Sequence, residues 1–273
     1  MPELPEVETV KETLKRRLIN KKINDINIYY KNLIEFPDID TFIKNIKNQE
    51  ILDIKRRGKW LIFELTNYNL LSHLRMEGKY IFRNINDQID KHEHISFVLN
   101  DNIELRYKDT RKFGRMHLLT KEETYIKKPL SELGLEPWDN NLNIKYLENK
   151  MRNKKLPIKT VLLDQGIITG IGNIYANEIL FLSKINPLKK CSELSQSDYQ
   201  NIIDKTKIVL EKAIKEGGTT IKSYESSEGV HGRFQQSLNV HGKENCICSN
   251  CGDIILKIKI NGRGTYYCPN CQK

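Results

Sequence analysis

Cys248-Ser249-Asn250-Cys251, sixteen further residues, and then Cys268-Pro269-Asn270-Cys271 decide how the C-terminal part of this chain must fold. Two Cys-x2-Cys pairs at this separation have the spacing of a four-thiolate zinc site. Tetrahedral zinc takes all four sulfurs and leaves no open position, so the expected single zinc ion is structural. Between the pairs, runs 254–260 and 265–267 flank Asn261-Gly262-Arg263-Gly264, the pattern of a tight hairpin. Arg263 would stand at its tip between two glycines, where a guanidinium can fork a phosphate, although a plain surface arginine has the same composition. Cys246 sits too close to Cys248 to join that pair, and Cys191 has no cysteine neighbour, so both read as bystanders.

Working outward, the whole chain has 273 residues and a net charge of +10. Its mean hydropathy of −0.56, with 29% charged and 38% hydrophobic residues, excludes a disordered chain and leaves no apolar run that could span a bilayer. Met1-Pro2-Glu3-Leu4-Pro5-Glu6 lacks the basic start and apolar stretch of a signal peptide. A cytoplasmic location with reduced thiols is therefore expected, and it favours metal over disulfides. The positive excess is spread along the chain, as in a protein that lays several faces along a polyanion. A lysine-rich composition would produce the same excess.

The opening reads as a helix, with Val7, Val10, Leu14 and Leu18 at near-helical spacing, acids in front and Lys15, Arg16 and Arg17 behind. From about Ile23 to Leu119 short β-like runs take over, among them Ile23–Tyr30, Trp60–Leu65 and Tyr80–Arg83. Ile95–Leu99 and Ile103–Tyr107 bracket Asn100-Asp101-Asn102 as a hairpin. The chain breaks at Leu133-Gly134-Leu135-Glu136-Pro137. Beyond it, Ser195 and Asp198 form a capping-box pattern ahead of a helix that Gly217-Gly218 stops. The segment from Gly217 to about Asn239 is rich in Gly, Ser and Thr and reads as a loop. The expected fold class is α+β and multidomain. An N-terminal helix and antiparallel β-sandwich cover 1–134, a helical domain ending in a loop covers 135–239, and the zinc hairpin covers 240–273.

Pro2 has chemical potential of its own. A small second residue permits removal of Met1, and the exposed secondary amine is then far less protonated at neutral pH than a lysine. Glu3 beside it could move protons. A first-turn proline explains the same residue without chemistry.

Met1–Val10, Met-Pro-Glu-Leu-Pro-Glu-Val-Glu-Thr-Val, resembles the N-terminal signature of the formamidopyrimidine-DNA glycosylase family, bacterial 8-oxoguanine glycosylase/AP lyases. Arg56-Arg57-Gly58-Lys59, His73-Leu74-Arg75-Met76, Lys91-His92-Glu93-His94 and Asp109-Thr110-Arg111-Lys112-Phe113-Gly114 match its sandwich motifs. Asp164-Gln165-Gly166 and Gly170 to Glu178 match its helix-two-turn-helix motif. Gly217-Gly218-Thr219-Thr220 and the zinc hairpin complete a likeness that runs the length of the chain.

That resemblance implies a bifunctional enzyme of base excision repair that excises oxidised purines, 8-oxoguanine and formamidopyrimidines, from duplex DNA. Pro2 is the implied nucleophile that forms a Schiff base, and Glu3 the principal proton donor, supported by Glu6. Lys59 would serve β-elimination and Arg263 δ-elimination. Met76, Arg111 and Phe113 would fill the space left by an extruded base; taken alone, Met76 and Phe113 would read as core. His92, Lys155 and Asn173 are implied DNA contacts, and Lys159 is a neighbouring candidate. Asn173 also follows two glycines at a helix start, where free N–H groups bind phosphate. The loop around 219–235 is expected to close over the flipped base. Cys248, Cys251, Cys268 and Cys271 are the zinc ligands. Damaged double-stranded DNA is the expected partner and a monomer the expected state, in a bacterial cytoplasm and associated with the nucleoid through DNA. Two rival readings are the sister class acting on oxidised pyrimidines, whose relatives start Pro-Glu-Gly-Pro-Glu, and a zinc DNA-binding protein without catalysis.

Overall fold

The first helix, α1 (Leu4–Leu18), begins where the acids predict, with Glu3 as its N-cap and proline in its first turn. Lys15, Arg16 and Arg17 lie in its last turn, where positive charge opposes the helix dipole. The computed structural model of this protein describes residues 1–219 and 232–273; Thr220 and most of the expected lesion-closing loop lie outside the described residues.

After α1 come β1 (Ile23–Ile28), β2 (Ile34–Phe36) and a short α2 (Ile39–Ile46). The strands β3 (Ile51–Arg57), β4 (Trp60–Leu65), β5 (Tyr68–His73), β6 (Lys79–Asn84), β7 (Glu93–Leu99), β8 (Ile103–Lys108) and β9 (Arg115–Thr120) follow. They form a four-stranded sheet of order β1-β7-β8-β6 and a five-stranded sheet of order β2-β9-β5-β4-β3. The described ladders are antiparallel except for the short β2–β9 pair, which is parallel. The expected Ile95–Leu99 hairpin closes through Asn102 at φ 60°, a left-handed position that asparagine tolerates.

Val7, Val10, Leu14 and Leu18 of α1 bury in one cluster with Ile54, Leu61 and Phe63 of the larger sheet and Phe97, Leu105 and Tyr107 of the smaller. Each fully buried large side chain contributes about 1.5–3 kcal/mol, so this cluster dominates the stability of the sandwich. Arg56 on β3 donates to Glu8 at 2.7 Å and ties the strand leading to Lys59 onto α1.

The helical part holds α3 (Ile144–Met151), α4 (Ile158–Leu162), α5 (Asn173–Leu182) and α6 (Gln196–Lys215). Ser195 and Asp198 make the capping box that opens α6, and Gly217 and Gly218, both at positive φ, end it. The turn between α4 and α5 is organised by one side chain. Gln165 donates to the Leu163 and Ile171 carbonyls and accepts from the Gly170 amide.

The C-terminal hairpin is β10 (Leu256–Ile260) and β11 (Arg263–Tyr267). Asn261 at φ 44° and Gly262 at φ 76° form its two-residue turn. Arg263 is therefore not at the tip: it opens β11, opposite Ile260. The chain divides into two compact units, Met1–Ser131 with Thr219–Gly232 and Glu132–Gly218 with Arg233–Lys273. The zinc hairpin thus belongs with the helices. No helix among the described residues is long and apolar enough to cross a membrane.

Candidate functional site

In the first unit the N-terminus of α1 gathers the acidic and basic groups named from sequence. Pro2 is buried, and Glu3 and Glu6 are 2% and 3% exposed. Burying a carboxylate is costly unless hydrogen bonds compensate it, and here they do for Glu6. Its Oε2 accepts the Glu3 amide at 2.9 Å, while Oε1 accepts the Thr219 amide at 2.8 Å and the Thr219 hydroxyl at 3.1 Å. Glu6 is thus spent on holding the helix start and Thr219, a partner 213 residues away that no local pattern reveals.

Lys59 follows Gly58, which turns the chain at φ 57°, and is itself only 5% exposed. Burial holds the amine at the chain terminus below its ordinary value, and Lys59 pushes the same way, while Glu3, Glu6 and Glu77 oppose them. Those groups therefore lie close enough for their charges to act on the terminus. That amine is Met1's; two buried carboxylates and a buried lysine lie close enough to act on it, groups able to carry protons for an amine at this end of the chain.

Two loops of the same unit carry the proposed wedge. Arg75 sits at φ 52° and its amide donates to His73 Nδ1 at 2.9 Å, which sets the course of the chain into half-buried Met76. Burial among Trp60 and its neighbours pushes the His73 imidazole down to about 3, so it stays neutral and accepts that bond. In the second loop the Asp109 carboxylate, fully buried, accepts the amides of Arg111, Phe113 and Gly114 at 2.9–3.0 Å. Arg111 and Phe113 are both exposed, and the guanidinium lies 4.8 Å over the Phe113 ring. Phe113 is 45% exposed and therefore not a core residue. His92 is half-buried just before β7.

In the second unit Arg263 is exposed, and the backbone beside it is braced from below. Lys159, expected among the DNA contacts, is 1% exposed, and its ammonium donates to the Gly264 carbonyl and the Thr265 hydroxyl, both at 2.9 Å. A lysine so placed is buried in the free protein, and its ammonium supports the strand that starts at Arg263. Asn173, the first residue of α5, donates to the same Gly264 carbonyl at 3.1 Å, and Asn261 donates to Thr160 at 3.0 Å. Lys155 is exposed, as a phosphate contact requires. Glu178, assigned no role from sequence, is 1% exposed and accepts four N–H bonds from Asn239, Val240 and His241. It anchors the chain entering the zinc hairpin to α5.

The sulfur atoms of Cys248, Cys251, Cys268 and Cys271 all lie within 4.8 Å of one another. A zinc–sulfur distance of about 2.3 Å in a tetrahedron puts sulfurs roughly 3.8 Å apart. Cys248 and Cys271 stand 3.8 Å apart, Cys251 and Cys268 3.5 Å, so the donor set fits zinc in both chemistry and size. Asn250 donates to the Cys271 sulfur at 3.1 Å, the kind of outer contact that orients a ligand. Cys191 is fully buried and its thiol is pushed up to about 11 by that burial. Cys246 is exposed.

Comparison with known proteins agrees with this geometry. Residues 1–116 match the family model for the formamidopyrimidine-DNA glycosylase N-terminal domain, 133–225 that for its H2TH domain, and 237–273 that for a zinc finger found in FPG and IleRS. The formamidopyrimidine-DNA glycosylase of Oceanobacillus iheyensis is 47% identical over 100% of this chain and 98% of its own. That of Bacillus cereus is 45% identical over 100% and 99%. The Lactococcus lactis Fpg bound to DNA containing Fapy-dG is 38% identical with a TM-score of 0.91, covering 99% of this chain and 100% of that one. The same Lactococcus protein bound to DNA containing an oxidised pyrimidine gives a TM-score of 0.91 at 38% identity over the full length of both chains. With all three domain models matched in order, and relatives this similar from end to end, the chain belongs to the formamidopyrimidine-DNA glycosylase family.

Proposed function

We propose that this protein is a bifunctional DNA glycosylase and AP lyase of base excision repair that acts on oxidised purines in duplex DNA. The observation that carries the reading is the buried start of α1, where the chain terminus lies among Glu3, Glu6 and Lys59. Met1 must be removed for the chemistry to run, because only then is the Pro2 nitrogen an amine and not an amide.

The damaged nucleotide leaves the stack before reaction, and Met76, Arg111 and Phe113 enter the space it vacates. The Pro2 nitrogen lone pair attacks C1′, and the glycosidic electron pair departs with the base, which takes a proton. The sugar ring oxygen then leaves C1′ with a proton from Glu3, and an iminium forms between C1′ and the Pro2 nitrogen. This cation is an electron sink that acidifies the C2′ hydrogen, so the bond from C3′ to its phosphate oxygen can break. Lys59, desolvated beside the terminus, serves proton transfer in that step. A second elimination breaks the bond from C5′ to its phosphate oxygen, with Arg263 as the proton source. Glu6 acts through position, by holding Glu3 and Thr219.

Zinc supplies a structural link between four thiolates and takes no part in bond making. Arg263 depends on it, because the hairpin that carries Arg263 has little apolar core of its own. His92, Lys155 and Asn173 are the residues we assign to the DNA backbone, and the three segments 1–134, 135–239 and 240–273 to catalysis, duplex binding and the arginine hairpin. We take the enzyme to act as a monomer on the nucleoid of a bacterial cytoplasm. The Lactococcus complex with an oxidised pyrimidine favours a lesion range that reaches beyond purines.

Borohydride trapping on duplex DNA carrying 8-oxoguanine opposite cytosine tests the reading. Protein shown by mass to lack Met1 gives a covalent adduct. Absence of that adduct overturns the proposal.

A further inference from the structure

Tyr80 of β6 and Tyr107 of β8 are register partners, their rings edge to face at 5.3 Å. Their hydroxyls meet different fates. That of Tyr80 donates to Ser72 at 2.7 Å. That of Tyr107, on a fully buried side chain, has no hydrogen-bond partner among the described residues. A buried hydroxyl left unbonded costs stability, and an isosteric phenylalanine would avoid the cost.

The place of that oxygen gives it a use. A β-carbon added to Gly78 would lie 2.1 Å from the Tyr107 hydroxyl, and one added to Gly114 would lie 1.9 Å from it. The phenol oxygen is therefore lodged between the backbones of two glycines. Gly78 ends the loop that carries Arg75 and Met76, its amide closing on the Leu74 carbonyl at 2.9 Å. Gly114 ends the loop that carries Arg111 and Phe113, its amide closing on Asp109 at 2.9 Å. One atom thus touches the closing residue of both loops, and interiors packed at crystal density transmit such a contact without slack.

We propose that Tyr107 is a positioning residue for base extrusion, its hydroxyl acting as a spacer that fixes the separation of the Met76 loop from the Arg111–Phe113 loop. The assignment rests on the wedge reading above. Three side chains that enter one gap in a base stack must arrive at a fixed separation, and small errors of placement are expensive in rate. The two glycines are the necessary counterpart, since any side chain at either position would strike the phenol.

The test uses full-length protein lacking Met1 and carrying Tyr107→Phe. Single-turnover excision is measured on duplex DNA with 8-oxoguanine opposite cytosine, and strand cleavage on a duplex with a preformed abasic site, where no base has to be unpaired. The thermal midpoint is recorded alongside. Tyr107→Phe is expected to slow excision roughly three- to tenfold, to leave abasic-site cleavage within about twofold of wild type, and to keep or raise the midpoint. Equal loss of both activities with a lower midpoint would mark a merely structural residue and overturn the proposal, as would excision at the wild-type rate. Gly114→Ala provides the second arm, because the three atoms nearest its added carbon all belong to Tyr107. It should slow excision more than Tyr107→Phe does, and adding Tyr107→Leu should recover part of the loss; no recovery counts against the spacer. Met76→Ala and Arg111→Ala separate this from the underlying reading. If both excise at the wild-type rate the wedge itself is wrong, whereas if both are slow and Tyr107→Phe is not, only the spacer fails.

Discussion

The two compact units hold their proposed catalytic residues by opposite means. In the sandwich, Glu3, Glu6 and Lys59 are buried at the edge of an apolar cluster that draws on α1 and both sheets. Around the hairpin that carries Arg263, the corresponding cluster is Phe181, Val240, Ile255 and two of the cysteine ligands. In the first unit a large apolar cluster carries most of the load, and polar bonds through Glu6, Arg56 and Asp109 trim the positions. In the second, a metal and a set of buried polar bonds must do the same work, through Lys159, Asn173 and Glu178. The first arrangement should tolerate loss of metal and the second should not.

The largest effect expected comes from the amine and its neighbour. Glu3→Gln should lower excision by about 10²–10⁴-fold and a chain that keeps Met1 should give no trapped adduct, both leaving the thermal midpoint near wild type. Trapping yield and calorimetry check it together, and a collapse of the fold in parallel would mean that these carboxylates serve stability first.

Removal of zinc is the sharpest way to break the comparison. Chelation should abolish cleavage that depends on Arg263 and reduce DNA affinity at least about tenfold, because metal-site energy is folding energy for such a hairpin. Near-ultraviolet circular dichroism from the sandwich aromatics should survive. Its loss would show that the first unit also depends on the metal.

Arg263→Ala should come next, with δ-elimination reduced by roughly tenfold or more and the trapped adduct undiminished, seen as accumulation of the β-elimination product on a gel. Lys159→Met should show a weaker form of the same defect with full zinc content, since it removes the bonds to Gly264 and Thr265 and leaves the guanidinium in place. A defect in overall DNA binding with normal δ-elimination would instead return Lys159 to the DNA surface.

The smallest effect is on stability in acid. Burial pushes His73 down to about 3 and His241 down to about 4, both below the 6.5 of an unfolded imidazole. The unfolded chain therefore binds more protons between those values, so the stability these two contribute is intact above pH 6.5 and is lost as pH falls toward 4 and then 3. Thermal midpoints should drop over that window, by several degrees for a domain of this size. His73→Gln should flatten the part of the decline that belongs to the sandwich. An unchanged slope would assign the loss to other groups that acid protonates, among them the paired carboxylates Glu8 and Asp53.

Much of this was legible along the chain because the underlying forces act locally. The β4 strand, the Ser195 capping box, the Gly217-Gly218 stop and the four-thiol cluster all fall where propensity and spacing place them. Arg263 was misplaced by one step because Asn261-Gly262 suffices for a two-residue turn, which frees Arg263 to begin the strand. The burial of Lys159 was not legible because charge in a sequence says nothing of burial; its partners, Gly264 and Thr265, stand more than a hundred residues away. Asp109 could have been noticed, since aspartate ahead of a turn commonly caps the amides that follow it.

What the sequence determined by itself is therefore the set of short-range structures and the candidate reactive groups they carry: a helix with acids at its start, short β-like runs, a zinc-spaced hairpin with an arginine. Only the tertiary structure decided what holds those groups in place. Glu6 meets Thr219, Lys159 meets Gly264, and the Tyr107 hydroxyl lies between Gly78 and Gly114. Each is a contact between residues far apart in the chain, or between side chain and backbone at van der Waals range. Such contacts follow from the whole packed volume and not from any local pattern, which is why a linear reading proposes the reacting residues and misses the ones that position them.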